Sequence, residues 1–220
     1  MSDSPTLGNG NFLYKVIENW EQIPDGYSWK ETAGVITDDH DNVYVFSRGN
    51  HPMMVFDKNG AFIKSWGEPG TGEGEFNIIH NIASDNNGYL YVCDRENHRI
   101  QVFDRNGRFE DAWSNVHRPC AVYIDNDQRV YVAELGYGNN VSKDVPNIGP
   151  RISVLNQNGK VLDRIGHLGY GFDTGQFAAP HGLCLDSELN IYVAEVARTN
   201  MSHYTTPPET LRSFQKLKKV

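Results

Sequence analysis

The chain has 220 residues, 39% of them hydrophobic and 22% charged, enough for one core or one closed repeat array and hardly for two domains. Its formal charge of -8 argues against nucleic acid or an anionic membrane surface as the main partner. No apolar run reaches the roughly 18 residues of a membrane span, and the start "MSDSPTLGNGNF" lacks the basic and apolar regions of a secretory signal.

In chain order, the first strand-like segment is "NFLYKVIENW", residues 11–20, rich in aromatic and β-branched side chains. One pattern then recurs four times: "AGVITDDHDNVYVFSRGNH" from Ala33, "HNIASDNNGYLYVCDRENH" from His80, "CAVYIDNDQRVYVAELGYG" from Cys120 and "HGLCLDSELNIYVAEVART" from His181. Each copy has a short apolar strand, a polar Asp/Asn turn and a Tyr-Val strand. The first three continue through a strand and an Asn-Gly turn ("MMVFDKNG", "IQVFDRNG", "ISVLNQNG") into a fourth strand. Asn-Gly favours a type I′ hairpin. The units therefore read as four-stranded antiparallel meanders, the blades of an all-β, four-bladed β-propeller filling residues 1–220 as one domain. Blades fall near 31–68, 78–114, 118–166 and 179–220. The last copy lacks an outer strand, and residues 11–20 are expected to supply it and close the ring; the rival is an open ring that dimerises through its unpaired edges. Cys93, Cys120 and Cys184, an odd count within or beside apolar strands, read as reduced thiols of a cytoplasmic protein.

"RGNH" and "RENHRIQVFD" resemble the signature of NHL repeats. The stretches "GEFNIIHNIASDNNGYLYVCDRENHRIQVF" and "FAAPHGLCLDSELNIYVAE" are most similar to the peptidyl-α-hydroxyglycine α-amidating lyase group, usually six-bladed. That resemblance implies a zinc on the ring axis held by histidines that open three inner strands, a substrate-binding arginine and a tyrosine base. The reaction it implies splits an N-acyl-α-hydroxyglycine into an amide and glyoxylate. By position His80 and His181 match two of the zinc ligands and Arg48 the arginine. The blades that would carry the third histidine and the tyrosine are absent, and the chain reads as four blades where relatives have six.

Aligning the repeats puts Ala33, His80, Cys120 and His181 at one ring position. Two imidazoles and a thiol suit zinc, or copper, better than magnesium or calcium, and leave one position open. His117 is an alternative third ligand. The plainer reading is that each histidine hydrogen-bonds a loop and that Cys120 is a small buried hydrophobe. Arg48 carries a fork of donors suited to a carboxylate, whereas Arg95, inside the repeated "DRENH", reads as structural. Asp94, Glu134 and Glu195 read as partners of arginines or backbone amides. Insertions at residues 136–150 and 198–209 are candidate functional loops, and Tyr137 a candidate base. His51 and His98 are expected to bond between blades, and Trp66 and Trp113 to pack between them. The expectation is a metal-binding propeller, monomer or dimer, acting as a carbon–nitrogen lyase on a small or peptide-derived substrate. The alternative is a non-catalytic scaffold binding a small ligand or protein on its loop face.

Overall fold

The computed structural model describes residues 6–136, 145, 147–166, 170–203, 206–207, 209 and 211–220. A short hairpin comes first, β1 (Thr6–Leu7) with β2 (Tyr14–Lys15). The first blade is β3 (Thr32–Thr37), β4 (Val43–Ser47), β5 (Met53–Phe56) and β6 (Phe62–Trp66), in that spatial order and antiparallel throughout. A link with the parallel pair β7 (Glu68–Pro69) and β8 (Glu75–Phe76) leads to the second blade. That blade is β9 (Ile79–Ser84), β10 (Leu90–Asp94), β11 (Arg99–Phe103) and β12 (Phe109–Trp113), with a 3-10 turn, Arg95–Asn97, after β10. The third is β13 (Pro119–Ile124), β14 (Val130–Glu134), β15 (Arg151–Leu155) and β16 (Val161–Ile165). The fourth has three strands among the described residues, β17 (Pro180–Leu185), β18 (Ile191–Glu195) and β19 (Phe214–Leu217), with a helical turn α1 (Ala197–Ser202) after β18.

The repeat produces recurring local devices. Asp38, Asp85 and Asp186 each accept amides two and four residues on, and then the hydroxyl of Tyr44, Tyr91 or Tyr192 from the next strand. The Asp/Asn turn and the Tyr-Val strand are thus one hydrogen-bonded unit. The Asn-Gly turns are not type I′, which would need positive φ at both central residues. Only Gly60, Gly107 and Gly159 are left-handed there, and the side chains of Asp57, Asp104 and Asn156 capture the amides two and four residues on. That capture keeps Asn59, Asn106 and Asn158 out of the left-handed region, and each strand pair shifts register beside its turn.

Two of those glycines, Gly107 and Gly159, each receive a tryptophan ring. A Cβ on Gly107 would stand 2.6 Å from Trp66, and one on Gly159 2.4 Å from Trp113, so these tryptophans pack against the following blade as expected. Gly60 is approached differently, by the Trp20 backbone carbonyl first and its ring only at 3.3 Å, with that ring 6.1 Å from Phe56 and Nε1 donating to the Lys58 carbonyl. Buried acids tie the second, third and fourth blades to the chain entering them. Asp94 takes the Asn77 amide and Arg99, Glu134 the His117 amide, Arg151 and Ser153, and Glu195 the amides of Ala178 and Ala179.

The expected ring closure by residues 11–20 is not what forms. Tyr14–Lys15 pairs with Thr6–Leu7, the reversal being made at Gly8, Gly10 and a Phe12 amide to Asn9 carbonyl bond. Trp20 and Gln22 then fix the segment to the outer turn of the first blade, through the Gln22 amide to the Gly60 carbonyl. The edge of β19 is left without that partner. The inner strands pack in sequence, β3 on β9, β9 on β13 and β13 on β17, and no comparable contact joins β3 to β17 among the described residues. No described helix is long and apolar enough to cross a membrane.

Candidate metal centre

His80, Cys120 and His181 are the second residues of β9, β13 and β17. Each inner strand slips register against its neighbour at that point. The extra residue is Cys120 between Pro119 and Ala121, and His181 between Pro180 and Gly182; in β9, His80 and Asn81 together face Cys93. Ala33 sits at the same slip in β3. A bulge re-aims the side chain it carries, so the repeat turns one residue per blade toward the axis. One ligand atom from each of His80, Cys120 and His181 lies within 4.8 Å of the others, and the two imidazoles meet edge to face at 5.1 Å.

The electrostatics keep all three neutral. Burial, then the charges of Arg95, His181 and Arg48, hold His80 down at about 3. Burial and both arginines lower His181 as well. Burial raises Cys120 to about 11, against the opposing pull of Arg95 and Arg118. Neutral imidazoles offer lone pairs to a metal, and the thiol would give up its proton on binding one. This donor set fits zinc or copper.

Two guanidiniums lie at the same place. Arg48 pairs with Glu31 at 3.1 Å, reaches the Ile79 carbonyl at 3.4 Å and puts Nη2 3.4 Å from both His80 nitrogens. Arg95 donates from Nη1 to His80 Nε2 at 2.7 Å and from Nε to Glu96 at 2.6 Å. Arg95 holds in the second blade the post-strand position that Arg48 holds in the first, yet its place in the repeated "DRENH" favoured a structural reading; Asp94, its neighbour, pairs with Arg99 instead. Tyr137, His167 and Tyr204 lie outside the described residues. His117 is not part of the triad; its Nδ1 is 3.0 Å from Nδ1 of His98, the expected bond between blades. His51 stacks at 3.7 Å on Tyr27, before the first blade, rather than bonding to a neighbouring blade. A second group with metal-ligating atoms this close, Asp38, Asp39 and His40, is an exposed turn in which Asp38 is already engaged by Asn42, Tyr44 and the His40 amide.

Meanders set side by side with their first strands innermost define a β-propeller. Comparison agrees: residues 31–137 match the family described as DUF5128, 6-bladed beta-propeller. Similar solved structures include a protein of unknown function from Bacteroides caccae, 13% identical with a TM-score of 0.58 over 86% of this chain and 63% of that one. Hydrazine synthase of Kuenenia stuttgartiensis is 12% identical, with a TM-score of 0.60 over 89% of this chain and 49% of that one. Streptogramin B lyase is 16% identical, with a TM-score of 0.53 over 74% and 47%. At these identities the likeness is one of fold. The chain spans from about half to under two thirds of the length of these structures. No curated protein matches it.

Proposed function

We propose that the protein is a metal-binding propeller whose centre at the mouth of the inner strands acts on a small carboxylate-bearing molecule. The observation that carries this reading is the convergence of His80, Cys120 and His181 from three bulged inner strands to within 4.8 Å. Zinc, or copper, bound there supplies Lewis-acid polarisation of a substrate oxygen. Arg48 presents a guanidinium held from behind by Glu31, positioned to take a carboxylate in paired hydrogen bonds. A pocket of about 150 Å³ between Ser47, Arg48, Pro52, Phe76 and Ile79 admits only a small group beside it. The specific activity to test is cleavage of an N-acyl-α-hydroxyglycine: the hydroxyl loses its proton, the C–N bond breaks, and the nitrogen leaves protonated as the amide with glyoxylate as the other product. No described residue is assigned as the base.

The contact of Arg95 with His80 favours a second reading, a non-catalytic scaffold that holds a small anion between two guanidiniums. Either reading suits a reducing, cytoplasmic setting in which Cys93, Cys120 and Cys184 stay free thiols. Metal content after untagged purification and zinc loading separates the two. Stoichiometric zinc that disappears in His80→Ala/His181→Ala supports the centre, and glyoxylate release lost in Arg48→Ala supports the lyase. Wild-type protein that takes up no zinc or copper removes the metal reading; loaded protein that releases no glyoxylate removes the lyase.

A further inference from the structure

We propose that the Arg95 guanidinium is the resident cation of the donor triangle, and that a metal ion binds only by displacing it. The inference rests on the reading of His80, Cys120 and His181 as ligands and concerns what competes for them. Arg95 enters from the first position of the 3-10 turn, Arg95–Asn97, that follows β10. Its Nη1 donates to His80 Nε2 at 2.7 Å. Its charge also acts on Cys120 and His181.

The tautomer sharpens the conflict. His80 Nδ1 lies 3.3 Å from the Ile78 carbonyl, so Nδ1–H donates there and Nε2 carries the lone pair. That lone pair is the one the arginine holds. A guanidinium stays protonated at any pH at which the protein folds, so the competition does not titrate away. Displacement is feasible because Arg95 is tethered at its other edge, Nε to Glu96, and Glu96 keeps a second cation, Arg118, at 2.9 Å. The carboxylate is therefore not stranded when the guanidinium swings out, nor when the side chain is replaced. Arg48 differs: its Nη2 is equidistant from both His80 nitrogens at 3.4 Å, so it is not aimed at the Nε2 lone pair.

The test is zinc affinity, by competition with a chromophoric chelator at neutral pH, for the wild type, Arg95→Gln, Arg95→Lys and Arg48→Gln. Losing a charge-assisted hydrogen bond from the competitor tightens zinc binding in Arg95→Gln by about tenfold or more. Arg95→Lys, which keeps a cation, and Arg48→Gln, which frees no lone pair, both move it less. Zinc bound by the wild type and held at least tenfold tighter by Arg95→Gln is the strongest support. Equal or weaker binding in Arg95→Gln, with binding still abolished in His80→Ala/His181→Ala, overturns the resident cation and leaves the metal centre standing. No zinc in either protein overturns both. Melting in the presence of chelator confirms that the variants fold, and Arg95→Met, which keeps the stem and drops the charge, repeats the measurement should the glutamine variant fail.

Discussion

His98 and His117 show how one contact governs a charge state. Their Nδ1 atoms are 3.0 Å apart, so one ring donates, the other accepts, and a proton on both would set two donors face to face. Burial first, then His98, Arg151 and Arg118, bring His117 down to about 4, and burial lowers His98 too. Unfolded, each histidine takes a proton near pH 6.5. The folded state refuses that proton, so the stability these groups contribute is present above pH 6.5 and is lost as pH falls toward 4. His117→Gln, which keeps a polar partner for His98, is expected to flatten this loss. Between pH 7 and pH 5 the wild type should lose about 1 kcal/mol more than the variant, after discounting for partial exposure, in paired urea titrations. Identical pH dependence in the two proteins would mean that the pair titrates normally. The same scale marks what the sequence disclosed of the candidate site. Repeat register alone placed His80, Cys120 and His181 at one ring position, because each stands at the same strand slip. Arg95 escaped it, because whether a long side chain turns inward depends on the 3-10 turn that launches it, and "DREN" reads equally well either way.

At the scale of elements, the blades are held to one another through a tryptophan and a glycine. Trp113 at the end of β12 lies against Gly159 in the β15–β16 turn, and Trp66 at the end of β6 against Gly107 in the β11–β12 turn. A methyl group at Gly159 meets two objections at once: φ is +72°, and the new carbon would be 2.4 Å from the Trp113 ring. Gly159→Ala is therefore expected to destabilise by about 2–3 kcal/mol, combining left-handed strain with a forced shift of the indole. A change below about 0.5 kcal/mol in chemical denaturation would show that the indole has room to move. The Asn-Gly dipeptides announced these turns correctly and mistyped them, since Asp57, Asp104 and Asn156, three positions before each glycine, decide the geometry through their side chains. Trp20 belongs to the same series by position. It lies beside Gly60 with its main chain as well as its ring, although the strand Tyr14–Lys15 pairs elsewhere.

For the whole molecule the open question is how the series of blades ends. Val35, Ile82 and Val122 hold equivalent places in β3, β9 and β13, and chemistry and register give them the same local role. Their surroundings differ: Ile82 is 5% and Val122 6% exposed, whereas Val35 is 59% exposed. The cause is curvature. β9 and β13 each have an inner strand on both sides, while β3 packs on β9 and has no comparable contact with β17 among the described residues. Curvature is a sum over every blade interface, so no single repeat encodes it, which is why the sequence pointed to a closed ring. An unsealed flank makes a distinct energetic prediction. Val35→Ala should cost less than about 0.5 kcal/mol, as at an exposed site, and Ile82→Ala about 2–4 kcal/mol, as in a packed core. Closure in solution, whether by residues 11–20 finding β19 or by a second copy docking on β3, would bury Val35 and bring its cost up toward that of Ile82. In the second case the cost would also rise with protein concentration, because the docked partner is lost on unfolding. Equilibrium denaturation of both variants at two concentrations thus separates an open arc, a ring closed within one chain and a ring closed between two.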